Sequence, residues 1–377
     1  MIKKQNLKII GSFFSSDGYS SHTRQLFKSL SERKDTNMKI ETQLPKNWVH
    51  QVTDKEFDAI TKEDDGKFDN IIIALPHMWR LFLGNNKNYV YVVWEGDSIP
   101  KSYIKEIMNP KVDLILVPSQ HTVDAICQTF RAKGTTEEYM SGYHNKIKII
   151  PHGYDPMIFK PQKKEQNTPF TFFADKGWAR GWKDRGGLSY LIKSYLEEFT
   201  SNDNVELFIK INMSYGTNID IFMKEIQIEN KDLPKIKFIT ENLPFNKLPE
   251  IYKQADVYCM SSLSESFGLG ALQAMAMGIP CITNDFGGQT DFINEKNGIL
   301  LKEGKLKEIS DEIIYEGIKW KEPDINELRK QMRWAFENQD KIKEKGKQAE
   351  EDSKAWTWDI SANKLYNDIL EYDGTNK

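Results

Sequence analysis

The strongest constraint on this chain is an alternation. Short apolar runs of strand length recur along it, separated by amphipathic stretches with helical spacing. Leu7–Ile10 reads as a strand, followed by a loop over Gly11–Ser21 and a helix over Thr23–Arg33. Asn70–Leu75, Tyr89–Trp94, Leu114–Pro118 and Lys146–Ile150 read as further strands. Alternation of this kind implies parallel strands joined by crossover helices. The texture then changes. Pro151, Gly153, Pro156, Pro161 and Pro169, with the charged run Lys160–Glu165, have the composition of a linker. A second series starts at Phe170–Ala174 and continues through Glu206–Ile211, Lys235–Ile239, Ala255–Met260 and Pro280–Thr283. From Lys305 the chain reads as charged and helical, ending with Trp356–Tyr372. The expected fold is α/β, with two Rossmann-like doubly wound domains. Residues 1–160 form the first and 161–355 the second, and 356–377 form a C-terminal helix packing back on the first. Ligands of such sheets bind at the carboxyl ends of strands, so the expected site is a central cleft that the two domains face.

Composition removes several classes of function. With 39% hydrophobic and 28% charged residues among 377, the chain is not of the disordered kind. A net charge of −3 argues against a nucleic-acid polyanion as partner. The charge is uneven: residues 1–160 carry 22 Lys+Arg against 19 Asp+Glu (net +3), and the remainder 30 against 36 (net −6). Cys127, Cys259 and Cys281 lie far apart with no CxxC pair, which supports neither a disulfide framework nor a zinc ribbon and fits a reducing cytoplasm. No apolar stretch approaches the roughly 18 residues of a bilayer span. A cytoplasmic protein is expected, with peripheral association at the inner face of a membrane left open.

Three segments carry chemistry. Ser261–Gly278 follows a strand, starts a helix near Gly268 and stops it at Gly278, with Pro280 beyond. A helix beginning offers unpaired N–H groups, here those of about Phe267, Gly268 and Leu269, and a partial positive charge, both suited to phosphate. Glu265 precedes that end and suits hydroxyl groups of a sugar or ribose; it could equally cap the helix, as could Ser264 or Ser266. In Ala174–Leu188, Arg180, Lys183 and Arg185 crowd a Gly-rich strand-to-helix loop and could neutralise a diphosphate, or simply form a charged surface loop. Gly187 stands where an NTPase P-loop needs Lys, and there is no GxGxxG after the first strand, no GxSxG and no HExxH. In Gly11–His22, Gly18 turns the chain before a helix. His77 and Glu95 follow strands of the first domain, where site residues accumulate.

Together these segments resemble the retaining glycosyltransferases of family 4, which have the GT-B fold. The resemblance runs over nearly the whole chain. Glu265-Ser266-Phe267-Gly268-Leu269, with Gly278-Ile279-Pro280 beyond, resembles the family's signature of an acid, seven intervening residues that include FGL, and a second acid. Gly287-Gly288 with Asp291 resembles its GGxxE turn, and Asn297-Gly298-Ile299-Leu300 its NG-apolar strand. Pro151-His152-Gly153-Tyr154-Asp155 with Phe159 and Pro161 resembles its hinge. The resemblance implies that Phe267, Gly268 and Leu269 offer backbone to a nucleotide diphosphate sugar, with Ser266 beside them, and that Glu265 binds the donor sugar. It implies that Arg180 with Arg185 or Lys183 holds the diphosphate, that Gly18 approaches it, and that Asn242 and Leu243 meet the base. The family's second acid is Gln273 here; one amide oxygen accepts where a carboxylate offers two. The Pro common after FGL is Gly270.

The implied activity is transfer of a sugar from a UDP- or GDP-sugar to an acceptor hydroxyl with retention of configuration, in glycan, glycolipid or polysaccharide synthesis. Glu265, Arg180, Arg185, His77 and Glu95 are the candidate catalytic residues. The donor is a co-substrate; no further cofactor and no metal are expected. The acceptor would be a carbohydrate, a lipid-linked group or another hydroxyl compound. Two other readings stay open: a degenerate protein that binds sugar or supports a partner transferase, and a nucleotide-sugar epimerase or phosphorylase.

Overall fold

The computed structural model describes residues 4–15, 17–132, 134, 145–166, 168–213, 216–241, 243–309 and 313–375. The chain divides into two compact units. Unit 1 holds residues 1–153, 313–318 and 357–377, and unit 2 holds 154–312 and 319–356.

Unit 1 is built on β1 (Gln5–Gly11), β2 (Thr36–Glu41), β3 (Asp69–Ile73), β4 (Asn88–Tyr91), β5 (Leu114–Val117) and β6 (Ile147–Ile149). They form one parallel sheet in the order β2-β1-β3-β4-β5-β6. Ile71–Ile73 and Leu114–Val117 are buried along their length, as expected of strands covered on both faces. β2 escaped the sequence reading because its TNMKIE mixes polar and apolar residues without a clean period. Strand order reverses between β1 and β3, so the turns after these two strands flank the unit's switch point.

The helix expected over Thr23–Arg33 is α1 (Gly18–Glu32), which begins inside the stretch read as a loop. Asp17 is its N-cap, accepting from Ser20 N at 2.8 Å, and sets that earlier start. The helix Trp358–Thr375 packs on α1. Its Leu365 and Ile369 are buried, Asp359 accepts from Ser29 Oγ at 2.7 Å, and Arg33 lies over the Tyr366 ring at 3.9 Å.

Unit 2 begins with Tyr154, because Tyr154 and Phe159 are buried in its core beside Tyr252 and Phe173. Its strands are β7 (Phe170–Lys176), β8 (Val205–Ile211), β9 (Lys235–Ile239), β10 (Val257–Met260), β11 (Cys281–Asn284) and β12 (Gly298–Leu301). They too form a parallel sheet, in the order β12-β11-β10-β7-β8-β9. This is the doubly wound order of a dinucleotide-binding sheet, with its switch point between β7 and β10. The stretch from Lys305, read as helical, instead opens with an antiparallel ribbon of β13 (Gly304–Glu308) and β14 (Lys319–Pro323). The next α-helix among the described residues begins at Ile325, capped by Asp324, which accepts from Glu327 N at 2.8 Å.

Candidate functional site

The turns at the switch point of unit 2 build the most organised charged cluster of the sequence-predicted residues. β10 ends at Met260, and Ser261–Gly268 leads into α2 (Leu269–Ala276). Within that turn the Glu265 carboxylate is held from three sides. Oε1 accepts from Lys176 Nζ at 2.5 Å and from Ser262 Oγ at 2.7 Å. Oε2 accepts from Arg185 Nη1 at 3.0 Å, and the same nitrogen donates to Ser264 O at 2.8 Å. Burial alone would raise the Glu265 pKa; the charges of Lys176 and Arg185, with hydrogen bonds from Lys176 and Ser262, outweigh it and hold the carboxyl well below the usual range. The group is therefore a permanent anion embedded between two cations. Lys176 was not among the predicted site residues. It is the last residue of β7, and Asp175 before it pairs with Lys210 at 3.4 Å.

The Gly-rich loop is shaped by Asp184 rather than by its cations. Asp184 accepts from Ala179 N and Gly186 N, each at 2.8 Å. The loop is tied to the Glu265 turn by Leu263 N donating to Arg185 O (2.8 Å) and Ser261 Oγ donating to Gly187 O (2.9 Å). The two turns press so closely that a Cβ on Gly187, whose φ is +70°, would lie 2.0 Å from Ser261 O. Of the predicted basic residues, the structure brings Arg185 onto Glu265. Arg180 stands half-buried at the head of the single turn Gly181–Lys183, and Lys183 is exposed.

The beginning of α2 is equally constrained. Gly268 is its left-handed N-cap, with φ +92°. Gly288 N donates to Glu265 O at 2.8 Å, and a Cβ on Gly287 would meet that oxygen at 2.8 Å, so the Gly287-Gly288 turn clamps the Glu265 backbone. Phe267 points into the core, with its ring 5.0 Å from Phe292 and 6.1 Å from Trp356. Ser266 and Leu269 are half-buried, and Gln273 is buried within α2. Leu243 packs on the same core, while Asn242 lies outside the described residues. Gly270 has a steric cause: its Cβ would stand 2.5 Å from Tyr258 Oη.

In unit 1, Gly18 and His77 flank the switch point. Gly18 is exposed at the start of α1, with open space where a Cβ would stand, and His77 is exposed on the turn Pro76–Leu81 after β3. Glu95 follows β4. Its carboxylate accepts from Tyr315 Oη at 2.7 Å, Tyr315 stacks on Trp94 at 5.2 Å, and His121 Nε2 lies 2.8 Å from the Glu95 carbonyl. Among the described residues no group of three or more His, Cys, Asp or Glu side chains could hold a metal ion, and no helix is long and apolar enough to cross a membrane. The three cysteines are buried and none is in a disulfide.

Residues 222–352 match the family described as glycosyl transferases group 1. A pneumococcal UDP-N-acetylglucosamine–peptide N-acetylglucosaminyltransferase GtfA subunit is 27% identical over 223 residues, which is 58% of this chain and 39% of that protein. A putative glycosyltransferase of a Sulfolobus islandicus filamentous virus is 22% identical over 298 residues, 77% of this chain and 76% of its own length. The crystal structure of Anabaena HepE with UDP and glucose superposes with a TM-score of 0.65 at 13% identity, over 97% of this chain and all (100%) of that one. The fold is thus GT-B, and the matched region is that of the group 1 glycosyltransferases. The chain spans less than half the length of the pneumococcal relative.

Proposed function

We propose that the protein transfers a hexosyl unit from a nucleotide diphosphate sugar, a UDP-sugar in the first instance, to an acceptor hydroxyl with retention of configuration, as a member of family 4. One observation carries the reading: Glu265, ionised and held by Lys176 and Arg185 at the switch point of the unit 2 sheet. A carboxylate offers about four acceptor positions, of which three are engaged. Incoming sugar hydroxyls would take the remaining position, and the diphosphate would draw Arg185 and Lys176 partly toward itself. The names of the relatives support the donor class: one uses UDP-N-acetylglucosamine, and HepE is seen with UDP and glucose.

In this mechanism the acceptor attacks the anomeric carbon on the face from which the diphosphate leaves. The C–O bond to phosphate breaks as the new glycosidic bond forms, and the departing phosphate oxygen takes the acceptor proton. The chain's own residues then work by positioning and by stabilising charge on the leaving diphosphate. Arg185 and Lys176 supply that charge, with Arg180 and Lys183 in the same loop. Glu265 orients the sugar. Gln273 would hold ribose through a single accepting oxygen, and His77 and Glu95 would serve the acceptor side.

The test is a donor screen by thermal shift, followed by transfer assays. UDP-sugars are expected to raise the melting temperature, since a ligand of the native state stabilises it. Arg185→Ala should abolish most transfer while leaving the fold intact, and Glu265→Gln should weaken the sugar nucleotide more than UDP itself. Wild-type turnover in the first variant, or equal losses in the second, would overturn the assignment.

A further inference from the structure

A cavity of about 820 Å³ opens on unit 2 along β12, the edge strand of its sheet, between α3 (Ile325–Glu337) and α4 (Gln339–Ser353). None of its lining residues belongs to the turns that hold Glu265. Its size lies within the range of about 300–1,000 Å³ usual for small-molecule sites.

Part of the lining is committed to the wall itself. Lys345 Nζ donates to Gly298 O at 3.1 Å and also to Glu295 O, covering the open edge of β12. The Glu327 carboxylate accepts from Lys302 N at 2.9 Å and Glu303 N at 2.8 Å. Glu295 pairs with Lys302 Nζ at 2.8 Å. What remains for a ligand is Lys296, Lys330 and Lys341 against the single acid Glu344, all exposed at the rim and none in an ion pair among the described residues. The half-buried Trp334 indole lines the same cavity, with Lys341 Nζ 5.7 Å from its ring centroid.

This positive rim belongs to the acidic part of the chain, net −6 beyond residue 160, so its charge is local. Three unpaired ammonium groups and an indole in one cavity, one of the three lying near the ring, constrain the chemistry of the guest. Its charges must be negative. Its body must present polarised C–H groups to the electron-rich ring face, as a pyranose does. We infer that this cavity binds a short acidic oligosaccharide, with its carboxylate, sulfate or phosphate groups on Lys296, Lys330 and Lys341 and one sugar ring on Trp334. The site would hold a glycan apart from the Glu265 centre.

Calorimetry on the full chain tests this directly, with tetragalacturonate as the probe and maltotetraose and UMP as comparisons. Tetragalacturonate is expected to bind and to weaken as salt is raised, with maltotetraose and UMP at least tenfold weaker. The double variant Lys330→Glu/Lys341→Glu should lose at least tenfold in affinity. Lys343→Glu/Lys347→Glu, exposed on α4 but outside the cavity, should not. Trp334→Ala should also lose binding; because Trp334 packs on the core, the lysine variants decide if it fails to fold. Arg185→Ala should bind the probe normally, which separates this site from the transferase reading. Absence of binding at millimolar tetragalacturonate, equal binding of maltotetraose, tighter binding of UMP, or an unchanged Lys330→Glu/Lys341→Glu variant would each overturn the inference.

Discussion

Lys176 makes the shortest hydrogen bond to the Glu265 carboxylate, and both side chains are largely buried, at 13% and 15% exposure. A hydrogen bond to a charged group contributes about 1.5–3 kcal/mol. Lys176→Met is therefore expected to weaken binding of a donor sugar nucleotide roughly 10–100-fold. It should also move the Glu265 pKa upward, since a major charge opposing desolvation is gone. Titration of donor affinity against pH would show both effects; an unchanged affinity and profile would remove Lys176 from the site. The lysine was illegible in the sequence because it ends a strand, while Arg180, Lys183 and Arg185 stand out in a Gly-rich loop. Only strand order brings the end of β7 beside the turn after β10. Gly270 is similar. Its cause is a tyrosine hydroxyl from β10, which spacing along the chain does not reveal.

Among the elements, strands with unbroken apolar runs were read most accurately, because burial on both faces leaves a plain signal. Ends and edges were not. α1 starts where a side-chain cap allows it, and the β13–β14 ribbon hides its period among lysines. The Glu265 turn and the Gly-rich loop are one element in energetic terms, since each closes the other's backbone groups. Gly187→Ala forces a left-handed residue and a Cβ into Ser261 O, and should cost at least about 1–3 kcal/mol. Gly186→Ala, without the positive φ, should cost less. Urea unfolding of both variants checks this; equal costs would mean that the two turns part easily.

For the whole molecule, the passages of the chain between its units are informative. Gly153 ends the first stretch of unit 1 and Thr357 begins its last, and a Cβ on Gly153 would lie 2.2 Å from Trp358 N. Beside this junction, within unit 1, the rings of His22 and His152 lie 4.4 Å apart, with Trp358 stacked on both and Tyr91 against His22. Burial, with His152 nearby, holds His22 well below 6.5, and burial pushes His152 down to about 3. Both are neutral when folded, while the unfolded chain takes up protons below 6.5. Their contribution is therefore complete above pH 6.5 and is lost as pH falls below it, for His152 down to about 3, at up to about 1.4 kcal/mol per pH unit for each group. Chemical unfolding at pH 7.5 and 5.5 should show the drop, and His22→Phe should reduce it. A Pro- and Gly-rich stretch marked this region in the sequence; the histidine pair came only with the fold.

The division of the chain also sets an order of assembly. Unit 1 takes its whole sheet from residues before 153, yet its outer helix Trp358–Thr375 and the segment 313–318 lie beyond most of unit 2 in the chain. Unit 2 has every strand of its sheet by residue 301. The sheet of unit 2 can consequently form from one continuous stretch of chain, while the α1 surface of unit 1 stays uncovered until the helix Trp358–Thr375 has been made.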